Sequence, residues 1–231
     1  MLIGILQCGH TPDEVHAAHG DFDALFHTLL DDHDLTFRTW NVVDMDFPDD
    51  VTQADGWLVT GSRHGAYEDH AFIPPLEAFI CDIAAAQKPM VGICFGHQII
   101  AQALGGKVEK FSGGWAIGRH GYEFKGIGAL KLNAWHQDQV TRRPDGARVV
   151  AFSPFCENAA LVYGDTILTI QPHPEISNDV LGSYLRADRV TAPGAYPPDL
   201  LQAAAETMNM PTDADTVAAD MVAMWKGEYS R

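Results

Sequence analysis

Short apolar runs rich in valine and isoleucine alternate with longer amphipathic stretches through the first half of the chain. Short runs of this kind form buried strands, and amphipathic stretches of ten residues or so form the helices that cover them. The alternation therefore predicts an α/β fold with a mostly parallel central sheet and helices on both faces. The predicted strands are 2–6, 35–43, 56–60 and 90–94, and the predicted helices are 21–30, 73–86 and 99–104.

After residue 106 the pattern changes to short apolar runs separated by glycines, which favours a smaller antiparallel portion. No segment rich in serine and proline divides the chain, so we expect a single domain over residues 1–231, with a C-terminal helical extension at 198–227. The predicted strands of this half are 108–111, 121–124, 130–134, 149–152, 160–163 and 167–171, and the predicted helices are 176–187, 198–208 and 212–225.

The charge balance excludes two classes of partner. The 231 residues include 15 Lys and Arg against 31 Asp and Glu, which gives a formal charge of −16. Phosphate backbones and anionic lipid surfaces are bound by clustered basic residues, so we expect neither nucleic-acid nor membrane binding. The charge is uneven, however: residues 105–150 hold eight bases and four acids, and could attract a carboxylate.

The sequence also predicts where the protein is located and whether it needs a cofactor. No apolar run approaches the roughly 18–20 residues that span a bilayer, and residues 1–6 are typical of a first strand rather than of a signal peptide. The four cysteines are scattered without CxxC spacing, which favours a cytoplasmic protein with free thiols. The sequence has no phosphate-binding loop, dinucleotide fingerprint or HExxH spacing, so we expect no cofactor and no metal.

One cysteine stands where an apolar strand turns into a helix. In Gly92-Ile-Cys94-Phe95-Gly96 the two glycines allow the crowded turn that lifts the middle side chain out of the sheet, as in the Gly-x-Ser-x-Gly nucleophile elbow. The following helix N-terminus favours a thiolate, and the Phe95 N–H could stabilise an oxyanion. The alternative is a small buried cysteine beside two packing glycines.

A thiolate nucleophile also needs a proton acceptor with an orienting partner. His173 and Glu175 follow the apolar run 167–170 and are separated by one proline. In an extended segment residues i and i+2 face the same way, so the carboxylate can reach the imidazole and fix its tautomer. An isolated His-x-Glu is weak as a signal, but its pairing with the cysteine turn predicts a Cys94–His173–Glu175 triad.

These motifs resemble a known family. Gly92-Ile-Cys-Phe-Gly-His-Gln98, followed about 80 residues later by His173-Pro-Glu175, is similar to a class I glutamine amidotransferase domain of the type attached to GMP synthase. The resemblance covers about residues 2–184. It implies a flavodoxin-like core sheet and supports the triad assignment.

The resemblance also implies further site residues. The stretch after the third strand resembles the loop that supplies a second oxyanion N–H, from Gly61 or Ser62, although the family's Gly-Gly-Pro is replaced here by Gly61-Ser62-Arg63. The substrate contacts that it implies are Gln98, Trp135, His136 and Gln137.

The chemistry so predicted is acyl transfer from a small-molecule γ-glutamyl amide through a thioester. Three functions remain open: an independent hydrolase of glutamine or γ-glutamyl peptides, a glutaminase subunit that supplies ammonia to a separate synthetase, and a catalytically silent binding or regulatory module. The stretch 61–65 and the Gly-Gly-Trp at 113–115 are similar to stand-alone γ-glutamyl peptidases, which favours the first. In that case Arg63 and the residues after it could contact the part of the substrate beyond the scissile bond.

Overall fold

The computed structural model describes all 231 residues. Eleven strands and eight α-helices follow one another along the chain, with short 3-10 turns at Val42–Asp44 and Val51–Gln53. The strands are β1 (Leu2–Leu6), β2 (Thr36–Trp40), β3 (Gly56–Val59), β4 (Met90–Ile93), β5 (Lys107–Lys110), β6 (Ala116–Phe124), β7 (Gly128–His136), β8 (Asp138–Arg142), β9 (Arg148–Phe152), β10 (Ala160–Tyr163) and β11 (Ile167–Ile170). The helices are α1 (Asp13–His19), α2 (Phe22–Leu29), α3 (Ile73–Ala85), α4 (Phe95–Ala103), α5 (Asn178–Arg186), α6 (Asp188–Thr191), α7 (Pro198–Thr207) and α8 (Ala214–Lys226).

Nine strands form one sheet in the order β2-β1-β3-β4-β11-β10-β9-β6-β7. The five strands from β2 to β11 pair in parallel, and the pairs from β11 to β7 are antiparallel. Strands β5 and β8 form a separate antiparallel pair. The predicted α/β class is confirmed, and the antiparallel portion is an extension of the same sheet together with this pair.

Helices cover both faces of the parallel strands because those strands are apolar on both sides. Strands β3 and β4 are buried at every position. On one face α2 and α8 share a core cluster with the sheet, in which Phe26 and Val91 are fully buried. On the other face α3 and α4 contribute Ile80 and Ile100 to a second cluster around Trp57. None of the helices is long and apolar enough to cross a membrane.

The predicted C-terminal helical extension contains α7 and α8. Helix α8 lies against the parallel sheet, where the Trp225 indole N–H donates to the Trp57 carbonyl at 3.0 Å. Helix α7 packs on β6, and the Cα of Ala204 would lie 2.8 Å from a Cβ placed on Gly118. Both helices therefore complete the buried surface of the sheet.

Several features of the fold, including β8 and the short α6, were absent from the sequence prediction. Helix α1 has one buried residue, Val15, and so carries no apolar periodicity. Strands β6 and β7, of nine residues each, form a hairpin that extends beyond the apolar runs at 121–124 and 130–134. This hairpin carries Trp135 and His136 to the carboxyl edge of the parallel strands, where ligands bind in open α/β sheets.

Candidate active site

Cys94 is the single residue between β4 and α4, and its backbone has φ of +52° and ψ of −101°. A positive φ is rare outside glycine and costs on the order of 1–3 kcal/mol, so the surrounding contacts must hold it. They do so from both sides: the Cys94 N–H donates to the Ile170 carbonyl at 2.9 Å, and the Cys94 carbonyl accepts from Gln98 N at 3.0 Å. The predicted strand-turn-helix geometry around Cys94 is present.

The two flanking glycines are required by close approaches of the backbone. A Cβ on Gly96 would lie 2.1 Å from the Val59 carbonyl oxygen, and a Cβ on Gly92 would lie 2.7 Å from the Gly96 carbonyl oxygen. The Gly96 N–H also donates to the Thr60 carbonyl at 3.1 Å. Helix α4 therefore begins in contact with the end of β3, which brings the 60–62 loop next to Cys94.

His173 and Glu175 form a buried hydrogen-bonded pair directly after β11. His173 Nδ1 lies 2.6 Å from Glu175 Oε1, and the side chains are 5% and 0% exposed. Strand β7 fixes this segment, because the Asn133 carbonyl accepts from His173 N at 2.8 Å and the Asn133 amide donates to the Ile176 carbonyl at 2.8 Å. The predicted i, i+2 contact is present.

The electrostatics of His173 favour its charged form. Burial disfavours an imidazolium, but the charges of Glu175 and Cys94 and hydrogen bonds to both side chains outweigh that effect and raise the pKa of His173 well above its ordinary value. Since Nδ1 is engaged with Glu175, Nε2 is the nitrogen left to exchange a proton with the Cys94 thiol. The structure thus brings all three predicted triad residues together, and their catalytic roles stay predictions.

Backbone N–H groups without partners lie in the segments next to Cys94 and His173. Phe95 is the first residue of α4, so its N–H has no partner within the helix. The N–H groups of Gly61 and Ser62 donate no hydrogen bond within the protein. A Cβ on Gly61 would lie 3.1 Å from His173 Cε1, so this loop touches the imidazole directly. These are the groups predicted to form the oxyanion hole, which stays a prediction.

A cavity of about 190 Å³ opens beside Cys94. The four residues predicted to contact substrate all line it, and they are Gln98, Trp135, His136 and Gln137. Gln98 is buried, and its amide donates to the Asp138 carbonyl at 2.9 Å and to Gln171 Oε1 at 3.2 Å. Its carboxamide therefore also fixes the start of β8.

His136 is uncharged in this cavity wall. Burial, the charge of His173 and several smaller effects together lower the pKa of His136 to about 3. Its Nδ1 lies 3.3 Å from the Asp138 carbonyl, whereas its Nε2 has no partner within the protein. Because the residue lines the cavity, a neutral imidazole is available there to a polar ligand.

Charged residues line this cavity beside the four predicted substrate contacts. Asp138 is half-buried, accepts from the Tyr67 hydroxyl at 3.1 Å, and burial raises the pKa of its carboxyl. Burial and the Asp138 charge raise the pKa of Tyr67 to about 12. Glu68 and Lys110 line the same cavity. This end of the cavity can therefore bind a molecule that carries both an ammonium and a carboxylate.

One side-chain group at the cavity mouth could hold a divalent cation. His64, Glu68 and His70 offer ligand atoms that lie within 4.8 Å of one another. Glu68 Oε2 is 2.8 Å from His70 Nε2 and 3.8 Å from His64 Nδ1. The sequence predicted no metal here, because the spacing of these residues, three and then one intervening residues, matches no common metal motif.

A larger cavity of about 910 Å³ lies away from Cys94. Glu175 lines it, as do residues of α1, α2 and α5, but neither Cys94 nor His173 does. Its other acidic residues are Asp31, Asp32, Asp179 and Asp215. Volume alone therefore does not identify the reactive site, since the Cys94 thiol lies in the cavity of about 190 Å³.

Comparison with known proteins shows which family this chain resembles. Residues 24–192 match the family model described as glutamine amidotransferase class-I. Gamma-glutamyl peptidase 4 of Arabidopsis thaliana is 32% identical over 215 residues, which cover 86% of this chain and 85% of that protein. A glutamine-hydrolyzing GMP synthase subunit from Halobacterium salinarum is 32% identical over 171 residues, which cover 69% of this chain and 86% of that protein.

Solved structures extend the comparison to the whole chain. A glutamine amidotransferase from Thermotoga maritima has a TM-score of 0.75 at 20% identity and covers 99% of this chain and 98% of its own. A glutamine amidotransferase from Methylobacillus flagellatus has a TM-score of 0.74 at 21% identity and covers 100% and 95%. At these identities the likeness shows the fold, including the C-terminal helices that lie beyond the family match.

Proposed function

The chain belongs to the class I glutamine amidotransferase family, and from that premise we propose that it is a cysteine-dependent hydrolase of γ-glutamyl amide bonds. The observation that carries the proposal is the position of Cys94, held at positive φ at the start of α4 and coupled to the buried His173–Glu175 pair. Strained backbone at a helix N-terminus beside a hydrogen-bonded imidazole is the arrangement that nucleophilic catalysis needs.

In the first half of the reaction the Cys94 thiolate attacks the γ-carbonyl carbon, and the carbonyl electron pair moves to oxygen. The N–H groups of Phe95 and of Gly61 or Ser62 stabilise that oxyanion. As the tetrahedral intermediate collapses, the carbon–nitrogen bond breaks and His173 gives its Nε2 proton to the departing amine. The products are a γ-glutamyl thioester, a free amine and a neutral imidazole.

In the second half a water molecule attacks the thioester while His173 accepts its proton. The carbon–sulfur bond breaks, glutamate leaves, and the charged Cys94–His173 pair is restored. Glu175 keeps its bond to Nδ1 throughout, so it holds the tautomer and balances the imidazolium charge. The cycle uses side chains, backbone N–H groups and water.

The cavity beside Cys94 supplies the recognition of the γ-glutamyl group in this proposal. An α-ammonium fits the carboxylates of Asp138 and Glu68, and an α-carboxylate fits Lys110, all of which line the cavity. Gln98 and the 135–137 stretch form the wall between these charges and the thiol. The substrate is therefore a small amino acid derivative.

Two relatives suggest different fates for the leaving amine. The relative named gamma-glutamyl peptidase matches 86% of this chain, which supports an independent hydrolase that accepts leaving groups larger than ammonia. The relative from GMP synthase matches 69%, which supports the alternative of a glutaminase subunit for a separate synthetase. We favour the first because the match extends further along the chain.

The test is release of glutamate by the pure protein from glutamine, glutathione and a γ-glutamyl amine, measured at steady state. We expect turnover of at least one of the three without ATP or a second protein, and loss of nearly all turnover in Cys94→Ser. Cys81→Ser is the matched control, because Cys81 is exposed and does not line the cavity beside Cys94.

Two outcomes would contradict the proposal. Retained turnover in Cys94→Ser would remove the nucleophile assignment. No release from any substrate, together with activation by a purified synthetase, would favour the ammonia-supplying subunit.

A further inference from the structure

Two cavities meet at the reactive pair. Cys94 lines the cavity of about 190 Å³ described above, and His173 lines a smaller one of about 50 Å³. Neither residue lines both. The residues common to both walls are Ser62, Arg63, Trp135 and Tyr196. The smaller cavity is therefore the continuation of the first on the imidazole side.

The chemistry of the proposed function fixes what enters each cavity. The acyl group is bonded to Cys94 Sγ, so it occupies the cavity that the thiol lines. The amine nitrogen must receive its proton from His173 Nε2, so it departs on the imidazole side. Whatever is attached to that nitrogen then extends into the smaller cavity.

The charges of the smaller cavity select against amines that carry a positive charge. Arg63 and Arg189 line it, and no carboxylate does. Neither guanidinium donates a hydrogen bond or forms an ion pair within the protein. Arg189 does lie near Glu14: hydrogen bonds from backbone N–H groups lower the pKa of that carboxyl, and the Arg189 charge lowers it further. In a chain with 31 acids, two unengaged arginines on one wall indicate a site for an anion.

The third basic residue of the wall is already engaged. His10 Nδ1 lies 2.5 Å from Asp21 Oδ2, and its Nε2 lies 3.1 Å from Asp44 Oδ2. Its charge is therefore balanced within the protein. The two arginines remain as the cations available to a bound molecule.

Aromatic side chains form the rest of this wall. The Tyr196 ring lies 4.8 Å from the Trp115 ring and 5.3 Å from the Trp135 ring, and Trp135 lies 5.3 Å from Tyr184. Ile176 adds a buried aliphatic surface. Tyr196 comes from the segment between α6 and α7, so the C-terminal part of the chain closes this side of the site. An apolar side chain can pack here beside a carboxylate.

We infer that this smaller cavity is the leaving-group subsite and that it takes an α-amino acid or a short peptide, whose carboxylate binds Arg189 and Arg63 and whose side chain packs on Tyr196 and Trp135. This inference rests on the proposed function and narrows it. The substrate class is γ-glutamyl amino acids or peptides, and γ-glutamyl amines that lack the carboxylate are poorer substrates.

The experiment compares two compounds that differ only in that carboxylate, γ-glutamylphenylalanine and γ-glutamylphenethylamide. We expect wild-type kcat/KM to favour the first by about tenfold, which is the factor of one charge-assisted hydrogen bond at a partly exposed site. Arg189→Ala should reduce this ratio to about twofold or less, and Arg189→Lys should restore part of it. Arg143→Ala is the matched control: Arg143 is also exposed and without hydrogen bonds but lines neither cavity, so the ratio stays at the wild-type value.

A binding measurement keeps the inference testable without turnover. Titration calorimetry with Cys94→Ala should show tighter binding of γ-glutamylphenylalanine, the acid, than of γ-glutamylphenethylamide, which lacks the carboxylate. This preference should fall in the double variant that carries both Cys94→Ala and Arg189→Ala. Equal kcat/KM for the two compounds, equal binding, or no binding of either overturns the subsite. A wild-type protein that releases no glutamate while its Cys94→Ala variant prefers the acid would overturn the proposed function and support the subsite.

Discussion

Replacing Gly96 by alanine tests whether the turn at Cys94 depends on contact between α4 and β3. Alanine in a helix normally stabilises a protein by about 0.5–1 kcal/mol relative to glycine. Here the added Cβ would lie 2.1 Å from the Val59 carbonyl oxygen and 2.8 Å from the Val59 carbonyl carbon, which are backbone atoms inside the sheet. We therefore expect the opposite sign.

The magnitude follows from the overlap. An ordinary contact begins near 3.4 Å, so the start of α4 must move away from β3 by about 3.4 − 2.1, or 1.3 Å. That displacement strains the Gly96 N–H bond to Thr60, now 3.1 Å, and overpacks a fully buried site. Overpacking costs about 1–3 kcal/mol and a weakened buried hydrogen bond adds about 1 kcal/mol, so we expect a loss of about 3 kcal/mol.

Urea and thermal denaturation measure this loss. For a chain of this size 1 kcal/mol shifts Tm by about 2–4 °C, so Tm should fall by about 6–12 °C. The control is Gly182→Ala in α5, where the nearest atom to the added Cβ is the flexible end of Arg186 at 3.3 Å. That variant should be as stable as the wild type or slightly more so. Equal stability of Gly96→Ala and Gly182→Ala would refute the packing argument.

Two further predictions concern titratable groups. His173→Ala should reduce kcat by about 10⁴-fold or more, and Glu175→Gln should be at least tenfold less damaging, because the imidazole moves the protons while the carboxylate orients it; the reverse order in steady-state kinetics would contradict the assignment. Burial raises the pKa of Asp220 to about 6 from an unfolded value near 3.8, despite its ion pair with Arg231. Between those values the folded state binds more protons than the unfolded state, so stability falls as pH rises from about 4 to 7. Asp220→Asn should remove this dependence. In urea denaturation the variant should therefore gain roughly 1–2 kcal/mol of stability relative to the wild type between pH 4 and 7. A wild type that gains stability relative to the variant as the pH rises would contradict the raised pKa.

The parts of the site that the sequence predicted are local ones. A glycine-flanked cysteine between an apolar strand and a helix, and a histidine and glutamate two residues apart in an extended segment, each define their own geometry. The long-range part, the meeting of Cys94 with His173, depends on β4 and β11 being parallel neighbours. The family resemblance implied the triad but not this strand pairing.

The remaining site residues depend on contacts that no local pattern encodes. Asp138 meets Tyr67 across 71 positions, and Tyr196 meets Trp115 across 81. The basic segment 105–150 was expected to attract a carboxylate, but only Lys110 of its bases lines either cavity, and the free arginines come from 63 and 189. Helix α1 was missed because Val15 is its only buried residue, which leaves no repeated apolar face.

The most direct test of the central claim is the site of a covalent adduct with a glutamine-like electrophile, located by peptide mass spectrometry. Cys94 is only 5% exposed and Cys81 is exposed, so accessibility alone favours Cys81. Burial raises the pKa of Cys156 to about 12 and raises that of Cys8 as well, which makes both thiols unreactive. The account predicts a single adduct on Cys94 that His173→Ala largely abolishes, whereas modification of Cys81 or Cys8 at an equal or greater rate would contradict it.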